Sequence, residues 1–210
     1  MKEPKILKKI ILFAFAVIVL AFIFLRNFFY EVPILKYHHV TAYCSDKPLI
    51  CVSPKSFQKQ MDFISRYRYK VISLEELVGA LSQKKKLSYK TVVITFDDGT
   101  EDNYQYGFPT LKKYGFPATI FVISDSVGRP GFLSWEQLKE MQKDKIDIAS
   151  HTKTHSYLPD IGDEQRLWKE IFESKKELEN KMGREIKLFS YPVGGYNAKV
   201  IDFVKRAGYI

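Results

Sequence analysis

Two adjacent carboxylates, Asp97 and Asp98, directly follow the apolar stretch TVVITF (91–96) and precede Gly99. Like charges on neighbouring residues repel each other, and burial strengthens the repulsion. Adjacent residues of a regular strand also point to opposite faces, so the pair can share one site only where the pleat breaks. Gly99 permits such a break. A solvated Asp-Asp-Gly turn fits these residues as well, and the stretch alone favours it, whereas a divalent cation would give one carboxylate a reason to stay ionised.

Two histidines, His151 and His155, are separated by three residues in HTKTH, which follows the apolar stretch IDIAS (146–150). This spacing can place both imidazoles on one side of a helical turn. Together with one carboxylate they would form a ligand set that leaves metal positions open for water and substrate. The pair alone is a weak signal, because a polar surface loop has the same residues. The other two histidines, His38 and His39, also follow an apolar stretch, PILKY (33–37).

Six apolar stretches alternate with helical patterns, and we expect each to be a strand: 33–37, 70–73, 91–96, 118–123, 146–150 and 186–190. Capping residues mark the helix starts. Ser73 with Glu76 and Ser134 with Gln137 predict capping boxes, Asp163 begins the longest helix of the domain, and Asn197 begins the last one. Alternating strands and helices predict a parallel sheet, closed as an α/β barrel, with the chemistry at the carboxyl ends of the strands.

The chain has 210 residues, 46% of them apolar, which suits one domain with a sizeable core. Residues 1–30 combine lysines with an uninterrupted apolar run from Ile10 to Leu25. We expect an uncleaved signal anchor that crosses the membrane once, with the lysines in the cytoplasm and residues 31–210 outside the cell. A cleaved signal peptide is the alternative, although no small-residue cleavage site follows the run.

The formal net charge is +9, of which +4 lies in residues 1–30. No basic stripe interleaved with aromatic residues is present, so we do not expect nucleic acid as a partner. Cys44 and Cys51 are the only cysteines. Outside the cell a disulfide between them is plausible, and two free thiols are the alternative.

Three motifs, TFDDG, HTKTH and FSYPVGGY, resemble those of the polysaccharide deacetylases (carbohydrate esterase family four, the NodB-homology domain). The flanking text, including DNYQYGFPTLKKYGFPATIFV, FLSWEQLKEM and VKRAGY, is similar to the same family, so the resemblance covers Pro33 to the end of the chain. PILKYHHV, at the start of the domain, looks like a motif that many family members carry near the end of the domain. This arrangement is similar to the poly-β-1,6-N-acetylglucosamine deacetylases, which look circularly permuted.

The resemblance implies a distorted (β/α)₇ barrel and a division of labour among the polar residues. Asp98, His151 and His155 would bind a divalent metal; the ligand set suits zinc best, with cobalt or nickel as alternatives. Asp97 would be the general base for a metal-bound water, which attacks the N-acetyl carbonyl. His38 would be the general acid that protonates the leaving amine, and His39 would be structural.

The same resemblance implies a substrate groove. The backbone N–H of Val193, in the segment with Tyr191 and Pro192, would stabilise the oxyanion. Trp135 and Tyr196 would either stack on sugar rings or serve as ordinary packing residues. One departure matters: many members have an arginine where this chain has Ser190, and that arginine orients the base. Support for Asp97 must therefore come from elsewhere.

The expected substrate is an extracellular N-acetylglucosamine polymer, with the β-1,6-linked form favoured and exopolysaccharide synthesis machinery as a partner. Peptidoglycan, chitin oligomers and acetylated xylan are alternative substrates for the same chemistry. A seventh strand would begin near Tyr209–Ile210, where the sequence ends. That observation motivates a different alternative, a truncated and inactive sugar-binding or assembly protein.

Overall fold

The computed structural model describes residues 3–28, 30–43 and 49–210, with side chains in the first range described for residues 8–26. Helix α1 (Glu3–Phe28) includes a stretch, Lys8–Arg26, that is long and apolar enough to cross a membrane and has no buried residue. A signal sequence meets the same criteria, so this helix is weak evidence of a membrane span. Cys44 lies outside the described residues, and its pairing with Cys51 stays a prediction.

Five parallel strands form the sheet, and they correspond to five of the six predicted ones. They are β1 (Ile34–Tyr37), β4 (Lys70–Ile72), β5 (Thr91–Phe96), β6 (Ala118–Val122) and β7 (Ile146–Ser150), in the order β1-β5-β6-β7 with β4 also paired to β5. Two short strands, β2 (His39–Val40) and β3 (Cys51–Val52), pair separately. The register sets Tyr37 beside Phe96 and Phe96 beside Ile120, so the carboxyl ends of these strands meet at one edge.

Helices follow the strands as the caps predict. They are α2 (Pro54–Arg66), α3 (Leu74–Ser82), α4 (Phe108–Tyr114), α5 (Trp135–Lys143), α6 (Glu164–Trp168), α7 (Ser174–Met182) and α8 (Ala198–Arg206). Two π-helical segments, Asn103–Gly107 and Lys169–Glu173, precede α4 and α7. The capping box at Ser134 is confirmed. The box predicted at Ser73 is wrong, because the carboxylate of Glu76 contacts Lys70 Nζ at 3.1 Å instead of returning to the cap.

The core lies between the sheet and these helices. All six residues of β5 are buried, as their uninterrupted apolar and β-branched sequence predicts for a strand covered on both faces. Phe57 of α2 packs edge-on against Tyr37 and Phe96, with ring centroids 5.0 Å and 5.8 Å apart respectively. Each fully buried side chain of this size contributes about 1.5–3 kcal/mol to folding. The aromatic cluster therefore fixes the end of β5, from which the two carboxylates project.

The strand predicted at 186–190 is wrong: only Phe189 forms a bridge there, with Ser150 of β7. Two side chains of α7 form hydrogen bonds with backbone groups that a longer strand pairing would use. The ammonium of Lys175 donates to the carbonyl of Ile186, and the N–H of Ile186 donates to Glu179 Oε1 at 3.3 Å. The segment still lies beside β7, as a sixth strand would. Among the described residues no strand pairing joins it to β1, so closure of the barrel stays a prediction.

The turn after β5 is packed tightly against β6. Gly99 has φ +70°, and a Cβ built on it would lie 2.7 Å from Cγ1 of Val122. We predict that Gly99→Ala lowers the free energy of unfolding by about 2–4 kcal/mol, because left-handed strain and overpacking add. Gly128→Ala is the matched control, since Gly128 also has positive φ (+82°) but nothing within 4 Å of its Cβ position. It should cost only about 1 kcal/mol. Equal losses in chemical denaturation would contradict this packing.

Candidate metal centre and active site

Asp98, His151 and His155 bring one ligand atom each within 4.8 Å of one another. Asp98 Oδ1 lies 3.6 Å from His151 Nε2 and 3.4 Å from His155 Nε2. This Oδ1 atom is buried and has no hydrogen-bond partner among the described residues. These separations are long for hydrogen bonds but suit atoms that share an ion. An orphaned carboxylate oxygen facing two imidazoles fits a divalent cation of the zinc, cobalt or nickel kind.

The backbone explains how neighbouring carboxylates reach one site. Asp98 and Gly99 both have left-handed backbone conformations, with φ of 71° and 70°. This reversal breaks the pleat, as expected from Gly99, although Asp98 itself takes the first left-handed position. Aspartate tolerates that conformation better than most side chains. Asp98 therefore reaches His151 and His155, while Asp97 remains in contact with β1.

His151 is held in the orientation that a metal ligand needs. It is 2% exposed, and its Nδ1–H donates to the carbonyl of Ser190 at 2.9 Å. Ser190 is itself fixed, because its N–H donates to the carbonyl of Ser150. Burial lowers the pKa of His151. A neutral ring that donates from Nδ1 presents the lone pair of Nε2 to the cluster.

The HTKTH segment is a loop, and the predicted helical turn is wrong. Thr152 and His155 have positive φ, 66° and 64°, which is not the backbone conformation of a right-handed helix. Local hydrogen bonds hold this shape: the N–H of His155 donates to Thr152 Oγ1, and the N–H of Thr152 donates to Ser150 Oγ. The two imidazoles still meet, with ring centroids 4.8 Å apart. Their convergence comes from the loop and not from helical spacing.

Glu170 organises that loop, and sequence reasoning missed it. It is 4% exposed in the π-helical segment before α7, and its carboxylate accepts from the N–H and hydroxyl of Thr154. Its backbone carbonyl accepts from the N–H of Lys153. A buried carboxylate that accepts several hydrogen bonds acts as a rigid template. The only sequence signal was an acid at an otherwise apolar helix position.

Asp97 lies beside the cluster in a different environment. It is 3% exposed, and its Oδ1 has no hydrogen-bond partner. Its Oδ2 lies 3.5 Å from Lys36 Nζ and 3.9 Å from His38 Nε2. Many family members have an arginine beside the base at the position of Ser190. In this chain Lys36 is a cation that contacts Asp97 instead. It was not singled out from the sequence, although a lysine within the apolar stretch PILKY, two residues before His38, is a usable signal.

The two histidines after β1 have separate surroundings. Burial lowers the pKa of His38, and its carbonyl accepts from Asn103 Nδ2 at 2.7 Å. His39 Nδ1 lies 2.8 Å from Asp102 Oδ2. The other oxygen of Asp102 accepts from the N–H of Val40. His38 thus faces Asp97, and His39 is bound to a carboxylate outside the metal cluster.

The segment after Ser190 borders a cleft of about 320 Å³ beside Asp97. Lys36 and Asp97 line this cleft together with Tyr191, Gly194 and Tyr196. Pro192 opens a short 3₁₀ turn in which Val193 has φ 55° and is 79% exposed. Left-handed backbone is strained for a β-branched residue, and such strain concentrates at functional sites. Tyr196 is exposed and its ring lies 5.5 Å from that of Tyr191.

Trp135 is placed differently. It begins α5, is partly buried and packs against the main core, with Lys181 Nζ 5.7 Å from its ring centroid. No contact within the described part of the chain connects it to the metal cluster. These contacts suit a packing residue, and a place for Trp135 in the substrate groove stays a prediction.

Comparison with known proteins places these features in a family. A family model described as polysaccharide deacetylase matches residues 84–210. The Bacillus subtilis (strain 168) protein YxkH, whose own assignment as a polysaccharide deacetylase is provisional, is 39% identical over 85% of this chain and 62% of its own length. A Staphylococcus aureus (strain N315) poly-β-1,6-N-acetyl-D-glucosamine N-deacetylase is 29% identical over 75% of this chain and 58% of its own length. The chain thus spans less than two thirds of these curated relatives.

Solved structures agree in fold. The Streptococcus pyogenes deacetylase PplD, in complex with acetate, matches with a TM-score of 0.80 and 29% identity over 86% of this chain and 81% of that one. IcaB from Ammonifex degensii matches with a TM-score of 0.78 and 26% identity over 85% and 81%. The parallel sheet and its helices are therefore the fold of this chain's relatives.

Substitution of single ligand residues tests the metal site. We predict that Asp98→Asn and His155→Ala each weaken zinc binding by at least about a hundredfold, because each removes a ligand and second-layer changes alone cost up to that much. His38→Ala is the matched control and should keep full metal content. Bound metal is measured on purified protein after dialysis against buffered zinc. Unchanged binding in Asp98→Asn would exclude this cluster as the metal centre.

Proposed function

The chain belongs to the polysaccharide deacetylase family, and from this premise we propose that it hydrolyses N-acetyl groups from an extracellular N-acetylglucosamine polymer. One observation carries the proposal. Asp97, paired with Lys36 and facing His38, stands next to the cluster of Asp98, His151 and His155. A base, an acid and a metal-binding set at one mouth are the groups that amide hydrolysis requires.

Each residue has a distinct task in this mechanism. A divalent cation held by Asp98, His151 and His155 would lower the pKa of water and polarise the acetyl carbonyl. Asp97 accepts a proton from the attacking water through Oδ2, the oxygen nearest Lys36 and His38. His38 then donates a proton to the leaving amine, because an amine leaves readily only when protonated. Burial lowers the pKa of His38, but the charge of Asp97, whose Oδ2 lies 3.9 Å from Nε2, opposes this lowering and favours the imidazolium that the step needs.

The groove segment serves the oxyanion and the sugar. The N–H of Val193 lies in a left-handed turn, Val193–Gly194, where backbone donors can point toward one anion. Donation from this N–H to the developing oxyanion supports the role inferred for Val193. Tyr191 lines the cleft beside it, and Pro192 begins the turn that carries Val193. Tyr196 offers an exposed ring on which a sugar can stack.

Poly-β-1,6-N-acetylglucosamine is the favoured substrate. The support is the Staphylococcus aureus relative of that name and the YHHV segment at the front of the domain. Peptidoglycan, chitin oligomers and acetylated xylan remain the alternatives within the same chemistry. We further propose that α1 is a single-pass membrane anchor, that residues 31–210 lie outside the cell, and that the chain works with the machinery that makes the polymer.

Asp97→Asn tests the mechanism. Loss of the base should reduce acetate release by at least about a hundredfold while zinc content stays at the wild-type level. Acetate is measured with β-1,6-linked and β-1,4-linked N-acetylglucosamine oligomers of equal length, and removal of metal with a chelator should also abolish release. Full activity of Asp97→Asn would exclude it as the base. Zinc-loaded wild-type protein without activity on any acetylated oligomer would favour a sugar-binding or assembly role.

Lys36→Gln tests the inferred support of Asp97. Lys36 is a positioning residue, since its Nζ contacts the base and not the metal cluster. We predict that kcat falls about tenfold or more while KM and zinc content change little, because loss of the cation affects only the proton transfer. Lys36→Arg keeps a cation on β1 and should recover most of the loss. An equal loss in Lys36→Gln and Lys36→Arg, or a change confined to KM, would contradict this role.

A further inference from the structure

The edge of the sheet opposite the active site is strongly basic. Four connections lead into β4, β5, β6 and β7: residues 66–70, 84–90, 112–117 and 143–145. They contain eleven lysines and arginines, and Asp144 is their only acid. All four strands are parallel, so these connections lie together at the amino ends of the strands. We call the four connections the basic edge.

Much of this charge is not neutralised within the protein. Arg66, Arg68, Lys84, Lys85 and Lys143 are exposed and have no acidic partner among the described residues. The connections on the active-site side have the opposite balance. Residues 97–102, 123–134 and 151–163 hold seven acids against Arg129 and Lys153. The domain is therefore polarised along its strands.

The end of α1 contacts this same edge. The guanidinium of Arg26 lies 3.9 Å from the centroid of the Tyr89 ring, a cation–π contact. The ring of Tyr30 packs edge-on against Tyr89 at 5.1 Å. Its hydroxyl donates to the carbonyl of Thr91, the first residue of β5, at 2.7 Å. The apolar stretch Lys8–Arg26 thus ends at the basic edge, and not at the active-site mouth.

Aromatic residues complete the pattern. Tyr67 is 50% exposed and Phe63 is 51% exposed, and their rings lie 4.4 Å apart where α2 meets the basic edge. Lys90 Nζ lies 5.6 Å from the centroid of the Tyr69 ring. Tyrosines and basic residues next to an apolar helix are the groups that settle at the lipid headgroup level.

We propose that the basic edge docks onto the anionic lipid headgroups around α1, which directs the active-site mouth away from the bilayer. Two observations favour a lipid surface over other anions. The edge is positively charged, and Arg26 and Tyr30, which lie at or just after the end of the apolar stretch of α1, contact Tyr89 of this edge and the adjacent Thr91. This inference rests on the proposed anchoring by α1. Lysines and arginines near such a surface are attracted within about 10 Å at moderate ionic strength.

The test uses the full chain in lipid nanodiscs. One preparation contains phosphatidylcholine only, and the other contains phosphatidylcholine with phosphatidylglycerol at about 30%. Lysines are acetylated briefly with a water-soluble ester, and mass spectrometry measures the modified fraction of each. We expect Lys84, Lys85 and Lys113 to react at least about threefold more slowly in the anionic discs, and high salt to remove the difference. Lys55 and Lys59, in the first two turns of α2, should react equally in both.

Two charge-matched triple variants sharpen the test. Lys84→Gln/Lys85→Gln/Lys143→Gln should abolish the protection of the unchanged Lys113. Lys55→Gln/Lys59→Gln/Lys139→Gln removes three exposed helix lysines and should leave that protection intact. Equal labelling of wild-type protein in both lipids would overturn the proposal, as would protection that survives in the first variant.

Two further outcomes also overturn it, for different reasons. Protection by soluble polyphosphate in phosphatidylcholine discs, without protection by phosphatidylglycerol, would assign the edge to an anionic polymer. A chain that does not insert into discs at all would refute the anchor on which the proposal rests. Acetate release by the same preparations is measured separately, so failure of docking and failure of the proposed deacetylation are distinguished.

Discussion

The site depends on one backbone constraint, the left-handed pair Asp98–Gly99 at the end of β5. A regular strand would send Asp97 and Asp98 to opposite faces. The reversal directs Asp98 to the histidines and leaves Asp97 against Lys36. Gly99 is pressed against Val122, and its carbonyl accepts from the N–H of Leu133. The turn is thus fixed by the neighbouring strand and loop, and two like charges become two groups with different partners.

Buried polar side chains in the two π-helical segments hold the loops that surround this turn. Asn103, 1% exposed, donates to the carbonyl of His38, and Glu170 accepts from the HTKTH loop. A π-helical turn shifts side chains relative to an ordinary helix and is common near functional sites. Because buried polar groups are costly unless they are paired, each contact also restricts its loop to one arrangement. His38 and the HTKTH loop are therefore held by helices and not only by strands.

Local patterns predict the parts of the structure that depend on local physics. The strand 91–96, the caps at Ser134 and Asn197, and the polar residues at strand ends all follow from periodicity and hydrogen-bonding chemistry. The convergence of a carboxylate after β5 with His151 and His155 also follows, once parallel strands are inferred, whereas the choice of Asp98 over Asp97 comes from the family resemblance.

Other features depend on contacts distant in sequence and escape such reasoning. The HTKTH loop is shaped by Glu170, and the ladder at 186–190 is interrupted by Lys175 and Glu179. A lysine inside the apolar stretch PILKY marks Lys36 as unusual, but its pairing with Asp97 is visible only once β1 and β5 are seen to pair. Residues that satisfy a distant buried group have no local pattern, so their roles appear only in the fold.

The charge polarity of the domain relates the end of α1 to the position of the candidate site. Strand β5 has six residues, so it separates Thr91 at the basic edge from Asp97 at the mouth by about 20 Å. If the basic edge docks on lipid as proposed, a polymer must rise at least that far above the headgroups to reach Asp97. The proposed product is an ammonium ion, and the acidic connections around the mouth would attract it.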